Sequence, residues 1–185
     1  MTKPVAEKGF SLVEVVITIV IIGIALVAAI SGWSNIARHS ADVMWQSKVA
    51  YLGQAYIEEI LSRRFDENTP IGGGACTPSC SDETSEFGVT TASGPYTSKD
   101  GESRENFDDV DDYHGINENA VGLFVGLIGQ VQAYDNYTVT VDVSYVGSTY
   151  LSGSNDLLKR IQVTVTPPAN TGQSPVVFSA IKGSY

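Results

Sequence analysis

Residues 10–30 read FSLVEVVITIVIIGIALVAAI, an apolar run whose single charge is Glu14. As a helix such a run spans about 32 Å, close to the ~30 Å hydrocarbon core of a bilayer. Val and Ile dominate it, which suits lipid, where each backbone polar group must be bonded within the segment. The preceding residues, MTKPVAEKG, set Lys3 and Lys8 against Glu7. Positive charge on a short flank holds that end in the cytoplasm and sends the residues after Ile30 across the membrane. The expectation is a single membrane span, with the N-terminus in the cytoplasm and the C-terminal domain exported.

A cleavable secretory signal ending near Val27-Ala28-Ala29, or a plain anchor, leaves Glu14 unexplained. A carboxylate within an apolar span is costly and asks for a partner. The stretch Lys8-Gly9-Phe10-Ser11-Leu12-Val13-Glu14 resembles the class III signal of type IV pilins and type II secretion pseudopilins. The resemblance implies cleavage between Gly9 and Phe10 by a membrane-embedded prepilin peptidase, N-methylation of Phe10, and pairing of Glu14 with the terminal amine of a neighbouring subunit. Glu14 follows that amine by about 6 Å along a helix. Each charge alone in lipid is expensive, and pairing across a subunit boundary offsets the cost only in register. One departure concerns Ser31, which stands where many major pilins place a helix-breaking proline eight residues after the glycine corresponding to Gly23.

Helical periodicity continues past the membrane. Trp45, Val49, Leu52, Tyr56 and Ile60 fall on one stripe, flanked by Ile57 and Leu61, with Gln46, Ser47, Gln54, Glu58 and Ser62 opposite. Arg63 and Arg64 are expected to close the last turn, where cations complement the helix dipole. One helix from about Ser11 to Arg64 is therefore expected, the alternative being two helices hinged near Ser31-Gly32. After Asn136 the period becomes two: Tyr137, Val139, Val141, Val143 and Tyr145 alternate with polar residues, and Ile161, Val163 and Val165 repeat the pattern. Val176–Ile181 gives a third apolar run, while Val121–Tyr134 is ambiguous because Gly122, Gly126 and Gly129 weaken either assignment. The fold class is α+β, a long N-terminal helix, half transmembrane and half amphipathic, packed on a small antiparallel β-sheet. This is the layout that the pilin resemblance implies. The divisions are a leader at 1–9, a transmembrane helix at 10–30, its amphipathic continuation at 31–64, an acidic loop region at 65–120 and the sheet at 121–185.

The 65–120 region carries Pro70, Pro78, Pro95 and the run Gly72-Gly73-Gly74, with acids far outnumbering Lys99 and Arg104. Little of it is expected to form packed core. Cys76 and Cys80 lie in this exported segment, so a disulfide is favoured over free thiols or a metal site. Asp108, Asp109, Asp111 and Asp112 concentrate four carboxylates ahead of Gly115. Such a run favours a solvated surface or caps for local turns, the alternative being a Ca²⁺ site of hard oxygen ligands. Phe107, Val110 and Tyr113, at three-residue spacing, can anchor it to the core.

The chain has 185 residues and a net charge of −10. That charge argues against nucleic-acid binding, which needs clustered cations. Two His and two Cys leave little for a transition-metal site, and no nucleophile–base pair or phosphate-binding loop is spelled out, so the chain is read as a non-enzyme without a cofactor, calcium excepted. The segment Leu52–Pro70, the Phe107–Gly115 segment and the C-terminal strands resemble the D-type minor pilins of mannose-sensitive haemagglutinin (MSHA) pili. That resemblance implies a role in pilus assembly and surface attachment. The implied partners are prepilin peptidase, other major and minor pilins, the inner-membrane assembly platform and membrane lipid before assembly. The alternatives are a type II secretion pseudopilin and a membrane-anchored periplasmic enzyme or binding protein.

Overall fold

A computed structural model describes residues 9, 11–77, 79–81, 85, 87–90, 96–119, 134–151 and 157–184, with backbone only at 38, 39, 41 and 42. The leader residues 1–8, Phe10, and 121–133 of the ambiguous stretch lie outside the described residues. The chain divides into two compact units, 1–44 and 45–185.

The first unit is helical. Helix α1, Leu12–Leu61, begins directly after Ser11, whose carbonyl accepts the backbone N–H of Glu14 (3.0 Å) and of Val15 (3.2 Å). Ser11 is thus the residue flanking the helix start, with Glu14 three positions on, the order of a capping box. From Leu12 to Ala37 the helix is long and apolar enough to cross a membrane, and none of that stretch is buried within the chain. Ser31 and Gly32 are helical, so the helix is continuous there as expected and the alternative of a hinge does not hold. Thr18 and Ser31 turn their hydroxyls back onto the carbonyls of Glu14 (2.6 Å) and Val27 (2.9 Å), which satisfies both polar groups within the segment.

In the second unit the predicted stripe of α1 becomes core: Val49, Leu52, Tyr56 and Ile60 are buried. The opposing layer is a four-stranded antiparallel sheet in chain order, β1 (Asn117–Asn119), β2 (Thr138–Tyr145), β3 (Leu158–Thr166) and β4 (Val176–Gly183). Pairing places Val141 beside Val163 and Val163 beside Phe178, so Val139, Val141, Val143, Ile161, Val163 and Val165 share one buried face. On β4 the inward positions Val176 and Phe178 are partly buried, whereas Val177 and Ile181 face outward on the edge strand. A short helix α2 (Gly147–Tyr150) follows β2, and a 3-10 turn at Asp111–Tyr113 precedes β1. The short strand β1, Asn-Glu-Asn, carries no apolar alternation and adds a fourth strand to the three expected.

Two expectations need correction. First, α1 ends at Leu61, and Arg63 and Arg64 lie beyond its last turn. The exposed carbonyls of Leu61 and Arg63 are instead met by Lys182 from β4, its Nζ 3.0 Å from Leu61 O. A cation does complement this helix end, but it comes from the sheet. Second, the 65–120 region is not core-free. Phe65, Phe87, Tyr96, Phe107, Val110, Tyr113 and Ile116 are all buried. At roughly 1.5–3 kcal/mol for each large side chain, this is a major share of the hydrophobic stabilisation. The acid-rich composition conceals this core, because the aromatic residues are spaced among the acids. Phe107, Val110 and Tyr113 do anchor the acidic segment, each with no exposed surface.

Candidate functional site

Gly9 is exposed, and a β-carbon there would meet nothing within 4 Å. Nothing in the described fold therefore demands glycine at this position. The same holds for Gly23 and Gly32 inside α1, where glycine costs about 1 kcal/mol of helix propensity relative to alanine. Glu14 is exposed in the first turn of α1, and among the described residues its carboxylate has no partner. A helix N-terminus favours an anion there, but an apolar surround does not.

The second cluster is built by the 3-10 turn and the C-terminal end of α1. Asp109 Oδ1 accepts the backbone N–H groups of Asp111 (2.8 Å) and Asp112 (3.2 Å). Asp112 Oδ2 reciprocally accepts those of Asp108 (3.1 Å) and Asp109 (3.3 Å). These bonds cap the turn, and Asp109, Asp111 and Asp112 are buried rather than solvated. Burial, reinforced by the Asp112 charge, pushes the Asp109 carboxyl up to about 7. Burial and nearby Asp100 push Asp112 up to about 6. Asp108 diverges from the others, pairing with Arg64, which also bonds Glu67 Oε2 at 2.9 Å.

Asp111 turns toward Lys159. The Lys159 Nζ donates to Asp111 Oδ2 (2.6 Å), Asp66 Oδ2 (3.0 Å) and the Phe65 carbonyl (2.8 Å). All three charged side chains are essentially closed to solvent. The rings of Phe65, Phe87 and Tyr145 stand 4.3, 4.8 and 5.0 Å from the same nitrogen. Burial alone would raise the Asp66 carboxyl, but the Lys159 charge and the N–H groups of Ser81 and Asn68 outweigh it and hold it below its ordinary value. Asp111 goes the other way: burial pushes it up to about 9, against the Lys159 charge. Lys159 was legible in principle, because it shares the odd parity of Ile161, Val163 and Val165 on β3.

A further network lies on the other flank of the acidic segment. Arg104 holds Glu59 through two bonds (2.9 and 3.3 Å) and stacks over Tyr113, 4.8 Å from the ring centre. Tyr113 donates to Glu59 (2.9 Å), and Tyr56 donates to Glu118 (2.7 Å), which ties α1 to β1.

The four sequence-selected aspartates thus do not converge on one point. Asp108 and Asp109 group with Glu67, Asp112 groups with Asp100 and Glu102, and Asp111 belongs to neither carboxylate set. Either set offers hard oxygen ligands suited to a cation such as Ca²⁺; in the first, Arg64 already supplies positive charge. An open cavity of about 290 Å³ is lined by Glu67, Lys99, Asp100, Asp109, Asp111 and Asp112, together with Asn68 and Ser81. Cys76 and Cys80 are joined by a disulfide with their Cα atoms 5.0 Å apart.

The family model for the prokaryotic N-terminal methylation motif matches residues 5–30. The match supports a type IV pilin-like or pseudopilin protein, a structural class whose signal implies processing by prepilin peptidase and assembly with other pilins. Among curated proteins and solved structures, nothing matches the chain.

Proposed function

We propose that the chain is a minor subunit of a type IV pilus of the MSHA kind, cut between Gly9 and Phe10, methylated on Phe10 and assembled through Glu14. The observation that carries this reading is the apolar helix from Leu12 to Ala37, entirely unburied within the chain, with one carboxylate in its first turn that has no partner among the described residues. A surface of that kind needs lipid before assembly and other subunits afterwards. Gly9 supports the cleavage assignment, since the described fold gives no reason for glycine there and an extended chain without a side chain enters a peptidase cleft most readily. The positive flank of Lys3 and Lys8 supports a cytoplasmic leader and a periplasmic domain from Trp45 onward. After assembly the domain lies on the cell-surface fibre, where the exposed part of the 65–120 region, Glu67 and Asp100 included, is available for attachment.

The partners in this account are prepilin peptidase, the major and minor pilins and the inner-membrane platform. The MSHA assignment rests on the sequence resemblance around Leu52–Pro70 and Phe107–Gly115. Deleting the gene tests the assignment. Loss of surface fibres and of attachment, with secreted exoproteins unchanged, is expected. Retained fibres with exoproteins trapped in the periplasm would assign the chain to a secretion pseudopilus instead.

A further inference from the structure

The Lys159 site holds more than an ion pair needs. One buried ammonium faces two buried carboxyl groups, Asp111 at 2.6 Å and Asp66 at 3.0 Å. The remaining Asp111 oxygen, Oδ1, is buried without a hydrogen-bond partner. A carboxylate with an orphaned oxygen in a closed site is costly. Aromatic rings of Phe65, Phe87 and Tyr145 wall the amine, so water is excluded from it.

In such a site the ion pair and its neutral form, amine beside carboxylic acid, differ by one proton moved along the Lys159–Asp111 contact. A neutral amine is a nucleophile, and an un-ionised carboxyl is an electrophile. The two are held within one hydrogen-bond length, which supplies the proximity that a bimolecular condensation lacks. Asp66 contacts the same nitrogen and is itself fixed by the Ser81 N–H (2.8 Å), the Asn68 N–H (3.0 Å) and the Ser81 hydroxyl (3.1 Å). It is therefore a positioned carboxylate that can take a proton from Nζ.

We propose that Lys159 and Asp111 condense to an intramolecular isopeptide bond, with Asp66 as the proton carrier. The Lys159 Nζ adds to Asp111 Cγ, and the N–C bond forms as Asp66 takes a proton from the nitrogen. Asp66 returns that proton to the departing hydroxyl, the C–O bond breaks, and one water leaves. One Asp111 oxygen remains as the amide carbonyl. No oxidant or reductant is involved, and the exclusion of water opposes hydrolysis of the product. The bond ties β3 to the 3-10 turn, residues 48 apart in sequence. It is independent of the pilus reading, since it needs only the folded domain.

The test is mass spectrometry of the full chain extracted from membranes, reduced and denatured. The expected intact mass is about 18 Da, one water, below that of the unlinked chain with the same terminus. Chymotryptic digestion should give a branched peptide joining residues 108–113 to 159–178 through Lys159 and Asp111. Asp66→Asn should abolish the branch while leaving both reacting groups in place, and Asp111→Ala should also lack it. Unlinked peptides from the wild-type chain, a branch to Asp66, or a water loss located elsewhere overturns the proposal. Full linkage in Asp66→Asn overturns the role given to Asp66. The wild-type peptide decides the bond itself, whether or not the variants fold.

Discussion

The ring of Phe178 on β4 lies against Gly53 of α1 so closely that a β-carbon at Gly53 would stand 2.2 Å from Cδ2. Glycine in mid-helix costs about 1 kcal/mol of propensity, and here it is required by the approach of the sheet. Gly53→Ala should destabilise the domain from Trp45 onward by roughly 1–3 kcal/mol despite the better helix former, because the clash includes Cγ of the ring and not only its tip. Phe178→Leu should restore part of that loss in the double variant. Denaturant unfolding of the detergent-solubilised chain measures both, and an alanine variant as stable as the parent would refute the contact.

Glu14→Ala should leave leader cleavage intact and lower incorporation into fibres at least tenfold. The substitution removes the one charge of the apolar helix, so membrane insertion improves while the assembled state loses its cation partner. Immunoblots of the membrane fraction against sheared fibres separate the two effects. Normal incorporation would contradict the pairing.

The domain should lose stability as pH rises from about 4 to 7. The folded carboxyls of Asp109 and Asp112, raised to about 7 and about 6, hold protons more tightly than the same groups in the unfolded chain. Stability from a raised group is fully present below its unfolded value and falls as pH climbs through the folded one. Asp66 is shifted down and acts only at lower pH. Asp111, raised to about 9, acts in the same direction, and with a tenfold change in proton affinity worth about 1.4 kcal/mol the loss across the interval should be several kcal/mol. Asp109→Asn should flatten the slope of the denaturant midpoint against pH; a rising slope in the parent would refute the assignment.

Removing the Cys76–Cys80 disulfide should have little effect. Only three residues intervene, so the loop restrains little unfolded-chain entropy, at most about 2 kcal/mol. The double serine variant should enter fibres as the parent does, and its failure to do so would give the loop a role in assembly.

The elements with a strong period were legible in the sequence. The stripe Val49, Leu52, Tyr56, Ile60 and the alternation on β2 and β3 name the buried faces directly. The three-residue spacing of Phe107, Val110 and Tyr113 also predicts their burial. What stayed hidden depends on distant partners. Lys182 reaches a helix end more than a hundred residues earlier in the chain. Lys159 continues the inward parity of β3, but its charge masks the pattern until Asp66 and Asp111 are seen opposite it. β1 has no periodic signal and exists because Glu118 pairs with Val139 across the ladder. The acids at 109–112 read as solvated because composition does not reveal the backbone N–H groups that a tight turn presents to them.

The central claim, that this chain is a processed filament subunit, is tested most directly at its new terminus. Tandem mass spectrometry of the membrane-extracted protein, from cells with and without prepilin peptidase, reads that terminus. An N-methylated Phe10 terminus that appears only when the peptidase is present is the predicted result. An uncut chain in both strains, or a terminus near Ile30 after cleavage at Ala29, would contradict it.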